Sequence, residues 1–203
     1  MIITESTFDP KSILGPADEL ARYGDANTRI SPRSPGLHLS QIYQDIEQTI
    51  DPRDDEDKFT PQELEVYRSL GFLWERALAS SMADGISGPD LIRPGEFTCD
   101  GIIGSPDLID QTTWTIVETK ATWRSAAKLD NLHKYFWFWL VQMQGYAKMV
   151  DTNRARLVAF FVNGDYRPPK PCIRVLNFEF TRREVEDNWA MLTGHARIRG
   201  WLI

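Results

Sequence analysis

Cysteine is scarce in this chain of 203 residues, which carries only Cys99 and Cys172. The two lie far apart and outside any Cys-x-x-Cys spacing, so neither a disulfide framework nor a cysteine-ligated zinc or iron–sulfur site is predicted. The sequence also lacks an apolar run of roughly 20 residues, the length needed to cross a bilayer, and a basic segment followed by an apolar one at its start. We therefore expect a cytoplasmic protein with no membrane partner.

Net positive charge is lacking as well, since the formal net charge at pH 7 is −6. This charge argues against a broad electrostatic attraction to nucleic acid, because a polyanion is normally held by a basic surface. The charges are unevenly distributed, however: between Glu118 and Arg156 there are seven Lys and Arg against three Asp and Glu. The sequence thus allows a local basic groove on an acidic protein. It has no Gly-rich phosphate loop and no Gly-x-Gly-x-x-Gly string, which argues against an enzyme that binds Mg²⁺ to act on a phosphate substrate other than nucleic acid.

The hydrophobic fraction of 42% in 203 residues is enough for one core. We predict a single domain over residues 1–203, in which residues 1–58 form an irregular and helical N-terminal extension. Its first 37 residues, rich in Pro, Gly, Ser and Asp, are expected to be irregular with one short helix near 18–23.

Hydrophobic periodicity and capping residues place the regular elements. Helices are predicted at 39–50, from Thr60 to about Met82, at 130–150, and from Thr181 to about Ile198. Strands are predicted at 97–103, 107–109, 114–121, 155–163 and 173–180. This order predicts an α/β (α+β) fold with a central mixed β-sheet flanked by helices.

The strand from Trp114 to Ala121 carries two charged residues on one face. The two-residue period of a strand places Glu118 and Lys120 side by side, and the apolar composition of both faces predicts that they are largely buried. Taken alone, a Glu-x-Lys pair is most often a salt bridge at the end of a strand.

A second carboxylate, Asp107, follows Pro106 in the preceding hairpin and starts a strand that can lie beside Glu118. Two converging carboxylates repel each other unless a cation lies between them, and Mg²⁺ prefers such oxygen ligands. The alternative is that Asp107 only stabilises the turn after Pro106.

The order of these residues resembles the PD-(D/E)XK nuclease superfamily, in which an acid, a second acid and a lysine lie on adjacent strands. Pro106-Asp107 and Glu118-Thr119-Lys120 carry this resemblance. Two further strings are similar to the RecB-like branch, which includes phage lambda-type exonucleases: Gly71-Phe72-Leu73-Trp74-Glu75 upstream, and Gln142 with Tyr146 downstream. The resemblance covers residues 71–146 and implies a restriction-endonuclease-like core.

The family arrangement implies that Asp107, Glu118 and Lys120 are the catalytic residues. It implies a site for Mg²⁺, with Mn²⁺ able to replace it, formed by Glu75, Asp107, Glu118 and the backbone carbonyl of Thr119. The alternative for Glu75 is a solvated acid on a helix.

Gln142 and Tyr146 lie one turn apart on the predicted helix, and a buried amide in such a position needs partners. The resemblance implies that they orient the site or contact DNA; the alternative is a core-edge glutamine bonded to backbone. Arg124, Lys128 and Lys134 are candidates for phosphate contact, or else ordinary surface charges. The aromatic run at 135–139 is more typical of a buried helix than of base stacking.

The resemblance thus implies a metal-dependent DNA nuclease, and favours a phage-type recombination or repair exonuclease that acts on duplex ends in the cytoplasm of a bacterium or a phage-infected host cell. The alternatives are an endonuclease of the same fold and a catalytically silent module that binds DNA or protein. Besides DNA, the family suggests a single-strand annealing or recombination protein and a homo-oligomer as partners, neither of which the sequence itself indicates.

Overall fold

A six-stranded mixed sheet forms the centre of the computed structural model, which describes residues 1–6, 34–50, 60, 69–71, 73–74, 77, 90–164 and 170–203. The strands within these residues are β1 (Ile2–Ser6), β2 (Leu37–His38), β3 (Leu91–Ile92), β4 (Phe97–Cys99), β5 (Ile102–Gly104), β6 (Leu108–Asp110), β7 (Thr115–Thr122), β8 (Arg154–Phe161) and β9 (Cys172–Glu179). The helices are α1 (Leu39–Ile50), α2 (Leu132–Tyr135), α3 (Trp137–Val150) and α4 (Arg182–Ile198), with a 3₁₀ helix at Ala126–Asn131. The prediction of an α/β fold with a central mixed sheet flanked by helices is confirmed.

The six strands lie in the order β1-β9-β8-β7-β6-β3, and only β7 and β8 are parallel to each other. A parallel pair needs a crossover connection, which the 3₁₀ helix, α2 and α3 supply. Both faces of this pair are covered, since Ile116, Val117, Leu157 and Val158 are all fully buried. The strands at the centre of the sheet therefore carry nearly continuous apolar runs.

The larger core lies between one face of the sheet and helices α1, α3 and α4. A smaller cluster covers the other face around Val117, Val158 and Phe160. Trp74 contacts Phe160 there, with ring centroids 4.7 Å apart, so the helical residues at 73–74 lie on this second face. The sheet is thus enclosed by helical residues on both sides.

Two helices begin where the sequence predicts. The helix α1 spans residues 39–50 as expected, and α4 starts after Thr181 with a complete capping box in which Glu184 is the partner. The Thr181 hydroxyl accepts a hydrogen bond from the Glu184 amide, and the Glu184 carboxylate accepts one from the Thr181 amide.

Three expectations are wrong in detail. The segment 97–103 is not one strand but the hairpin β4–β5, which turns at Asp100-Gly101, where both residues have positive φ. Asp-Gly is a strong two-residue turn signal, and it outweighs the apolar alternation around it. The hairpin belongs to a separate three-stranded sheet with β2.

Residues 2–6, expected to be irregular, form the edge strand β1 against β9. The helix expected at 130–150 is interrupted at Phe136, which is fully buried and stacks on Trp139 at 4.2 Å. At this one position the backbone leaves the helical conformation, with φ −138° and ψ 26°.

Other predictions fall outside the described residues: the short helix near 18–23, most of the helix from Thr60 to Met82, and Glu75. Among the helices that are described, none has the length and apolar character that spanning a membrane requires.

Candidate active site at the end of strand β7

The charged residues of β7 lie where this strand runs past the beginning of β6. Leu108 pairs with Val117 in antiparallel register. Asp107 precedes β6 by one residue, so it lies beside the segment of β7 that carries Glu118 and Thr119. The two acids that the sequence singled out therefore lie on neighbouring segments of the central sheet.

Asp107 is fixed to Thr119 by two hydrogen bonds. Its Oδ2 accepts one from the Thr119 amide at 2.8 Å and one from the Thr119 hydroxyl at 2.6 Å. Because β6 begins only at Leu108, the carboxylate takes the place that a strand carbonyl would have had beside the Thr119 amide. The hydroxyl contact was not foreseen from the sequence.

Glu118 is buried, with 1% of its surface exposed, and two donors share its Oε1. Lys120 Nζ donates at 2.8 Å and Gln142 Nε2 at 2.9 Å. A buried carboxylate needs such charged and polar partners to offset the loss of water. The sequence predicted that Glu118 and Lys120 share a face and that Gln142 needs a partner, and the structure joins all three.

Tyr146 extends this network by one turn of α3, because Gln142 Nε2 also lies 3.2 Å from the Tyr146 hydroxyl. Burial raises the pKa of the Tyr146 phenol well above its ordinary value, and the nearby Glu118 carboxylate raises it further. The phenol therefore stays protonated in neutral solution and cannot serve as a base. Gly104 of β5 leaves room for Met149 and for this ring, since a Cβ there would lie closest to Met149 Sδ and 3.0 Å from Tyr146 Cε1.

A cleft of about 300 Å³ opens beside Lys120 and Gln142. One wall is formed by the end of β7 and the residues after it, including Thr122 and Arg124, and another by α3. The remaining lining residues belong to α1: Tyr43, Gln44 and Glu47. Sequence reasoning assigned these three residues no role, although the i, i+4 spacing of Tyr43 and Glu47 on an amphipathic helix was the available signal.

The three cations beyond the strand lie around one aromatic residue. An Nη of Arg124 donates to the Tyr135 carbonyl, and the Nζ atoms of Lys128 and Lys134 lie 5.0 and 5.2 Å from the centre of the Tyr135 ring. Arg124 alone of the three also lines the cleft. The sequence proposed these residues individually, and the structure makes them neighbours.

The donor set of Asp107, Glu118 and Thr119 is suited to a hard divalent cation. Within the part of the chain that the structure describes, no group of three His, Cys, Asp or Glu side chains converges. Two carboxylates with one backbone carbonyl are nonetheless a typical protein share of a Mg²⁺ site, in which water supplies the other ligands. The amide and the carbonyl of one strand residue project to the same side, so the Thr119 carbonyl faces the edge where its amide meets Asp107.

No family model matches this chain, and no curated protein is similar to it in sequence. Among solved structures it is similar to the protein SSO0001, with 11% identity over 89% of this chain and 84% of that one and a TM-score of 0.48. It is also similar to an alkaline exonuclease from Laribacter hongkongensis, with 16% identity over 53% of this chain and 56% of that one and a TM-score of 0.40. A phage-related exonuclease from Haemophilus somnus shows 12% identity over 79% of each chain and a TM-score of 0.41. Similarities of this size assign no activity to the chain.

Proposed function

We propose that this chain is a metal-dependent nuclease that hydrolyses DNA phosphodiester bonds, with Asp107, Glu118 and Lys120 as its catalytic residues. The observation that supports the proposal is buried Glu118, which accepts hydrogen bonds from Lys120 and Gln142, two residues that line an open cleft. Asp107 is bonded to Thr119, the next residue of β7. A buried charged group that has a specific charged partner beside a cleft is a candidate for a functional site.

Asp107, Glu118 and the Thr119 carbonyl are the groups that would hold Mg²⁺ or Mn²⁺, and Glu75 is a further candidate ligand from the sequence. A divalent ion held there would withdraw charge from a phosphate and make a water molecule more acidic.

The protein's own groups have separate tasks in this scheme. Lys120, as an ammonium ion, offsets negative charge that develops on the phosphate or orients the attacking water. Gln142 holds Glu118 in place through its amide and is itself bonded to Tyr146, which remains a neutral hydrogen-bonding group.

Within this class, we favour an exonuclease of the RecB-like, phage lambda-type branch that acts on duplex ends in recombination or repair. This preference rests on the resemblance of Gln142 and Tyr146 to the motif of that branch. A recombination or annealing protein and a second copy of the chain are the partners it suggests.

The second candidate function is a silent module that binds DNA or protein. Two observations favour it: Lys120 and Glu118 already form an ion pair at 2.8 Å, and the chain as a whole is acidic.

One experiment separates these functions. End-labelled linear DNA and closed circular DNA are incubated with the protein in Mg²⁺, in Mn²⁺ and in chelator. Loss of linear DNA alone supports the exonuclease, nicking of circles supports an endonuclease, and intact DNA with every metal supports the silent module. The Glu118→Gln variant identifies cleavage that comes from this site, and Glu186→Gln, an exposed acid paired with a lysine elsewhere, is the matched control.

A further inference from the structure

Three cations lie together on the surface next to the cleft, and none of them forms an ion pair with a carboxylate of the described residues. Arg124, Lys128 and Lys134 surround Tyr135, through its carbonyl in one case and its ring in the other two. Other cations of this chain have acidic partners: Lys148 is paired with Glu186, and further examples are Arg174 with Glu5 and Arg199 with Asp45. Three like charges around one residue repel each other unless an anion lies among them.

The segment that carries these cations is anchored to the fold. The Ala126 amide donates to the Gly164 carbonyl at 2.8 Å, and the Ser125 side chain caps the 3₁₀ helix by accepting from Ala127. Ala126 and Leu132 are buried in the core. The cations are therefore presented on a positioned surface rather than on a free loop.

The surface continues from the cleft. Lys120 and Arg124 both line the cleft, and Arg124 reaches Tyr135, around which Lys128 and Lys134 lie. The guanidinium of Arg124 also lies 5.7 and 5.9 Å from the ring centres of Phe136 and Phe138. A row of cations that alternates with aromatic rings is typical of surfaces that follow a nucleic-acid backbone.

We propose that Arg124, Lys128 and Lys134, arranged around Tyr135, bind the phosphates of a DNA strand that flank the phosphate at Lys120. This inference rests on the proposed function and adds the direction in which the strand leaves the cleft. Tyr135 is a positioning residue: its ring holds the two lysines, while the cations contact the backbone.

The test is DNA binding in chelator, where cleavage does not interfere. A short fluorescein-labelled single strand and a blunt duplex of the same sequence are titrated by anisotropy at several salt concentrations. The variant is Lys128→Gln with Lys134→Gln. The control is Lys148→Gln with Arg183→Gln. It also removes two positive charges, but from side chains that form ion pairs with carboxylates of the protein.

We expect the Lys128/Lys134 variant to bind more weakly and to show a shallower dependence of log affinity on log salt, by about 0.7 to 0.9 for each lysine removed. The control pair should keep the wild-type slope. If the slope changes for the single strand alone or for the duplex alone, that form of DNA is the one that binds this surface. Equal slopes in the variant and the wild type, equal losses in both pairs, or no DNA binding by the wild type would overturn the inference.

Tyr135 is tested by two substitutions that leave the charges unchanged. Tyr135→Phe keeps the ring and should retain the wild-type slope, whereas Tyr135→Leu removes it and should lower the slope as the lysine variant does. Wild-type behaviour of Tyr135→Leu overturns its positioning role.

The outcomes distinguish this inference from the proposed function. If the wild-type protein binds DNA through the lysines but does not cleave it with any metal, the proposed nuclease function is contradicted and this inference is still supported. A protein that cleaves while the lysine variant keeps its slope contradicts this surface alone.

Discussion

Glu118 is the residue on which the site converges. Its carboxylate is buried, yet its Oε1 receives two hydrogen bonds, from an ammonium ion and an amide. Hydrogen bonds to an ionised acceptor are roughly twice as strong as those between neutral groups. Glu118 therefore has the charged and polar partners that its proposed role as a metal ligand would require.

Removing that charge should stop cleavage without unfolding the protein. Glu118→Gln keeps an oxygen for Lys120 and Gln142 but removes the negative charge, and we expect a loss of at least about 100-fold in cleavage rate. Lys120→Ala should cause a loss of the same size. The measurement is the rate of release of end label in Mg²⁺, with circular dichroism to verify the fold and Glu186→Gln and Lys148→Gln as controls. Wild-type rates in either site variant contradict the mechanism.

Gln142 and Tyr146 should differ in importance, although they share a motif. Gln142→Leu removes a donor from Glu118, and outer partners of metal ligands typically contribute about 10- to 100-fold in metal affinity or activity. Tyr146→Phe leaves the bond from Gln142 to Glu118 intact and should have a much smaller effect. The concentration of Mg²⁺ that gives half-maximal cleavage should rise in Gln142→Leu alone, and an equal rise in both variants would contradict this order.

Several contacts of the candidate site could be predicted from the sequence at the level of residues. The two-residue strand period placed Glu118 beside Lys120, and the need of a buried amide for partners identified Gln142. The contact of Asp107 with the Thr119 hydroxyl depends on where β6 begins, which periodicity does not determine. The α1 wall of the cleft depends on how a helix far away in sequence packs, so Tyr43 and Glu47 were missed.

At the scale of elements, α4 is closed at its first turn by the reciprocal bonds of Thr181 and Glu184. Thr181→Ala should lower the free energy of unfolding by about 1 kcal/mol, because the helix loses its cap. Urea denaturation measures this difference. The control is Thr49→Ala. Among the described residues Thr49 bonds to a carbonyl within its own helix, and its loss should change stability by less than about 0.5 kcal/mol.

Glu184 makes the stability of this helix end depend on pH. Hydrogen bonds from the Thr181 backbone and the terminal ammonium of Met1 lower the pKa of the Glu184 carboxyl to about 2, from 4.5. The carboxylate therefore contributes stability above its unfolded pKa and loses that contribution as the pH falls from 4.5 toward 2. We expect the stability gap between the wild type and Glu184→Gln to narrow over this range in urea titrations; a constant gap would contradict the assignment.

Elements with local signals were predictable and those with tertiary causes were not. Neighbouring residues determine the cap of α4, and the Asp-Pro pair that follows α1 determines where that helix ends. The strand β1 forms because β9 offers it a free edge, and α2 and α3 separate because Phe136 packs into the core. The partners that cause these changes lie far away in sequence: β9 for β1, and Phe161 of β8 for the ring of Phe136.

At the scale of the whole molecule, a metal that binds only the folded chain should raise its stability. Ligand at 100 times its dissociation constant adds about 2.7 kcal/mol, which corresponds to a rise in Tm of roughly 5 to 10 °C for a chain of this size. We expect this rise with Mg²⁺ or Mn²⁺, its reversal by chelator, and its loss in Glu118→Gln but not in Glu186→Gln. If the metal still raises the Tm of Glu118→Gln, the ion binds elsewhere.

The pairing of β1 with β9 has a consequence for how the chain folds during synthesis. Ser6 and Asn177, which are hydrogen-bonded across these strands, are 171 positions apart in sequence. Translation adds roughly 5 to 20 residues per second, so β1 waits about ten seconds or more for its partner to be made. Until β9 has left the ribosome, the far edge of β8 also stays open, and such unpaired edges promote aggregation. We expect truncated chains that end before β9 to depend on chaperones for solubility, whereas the completed chain does not.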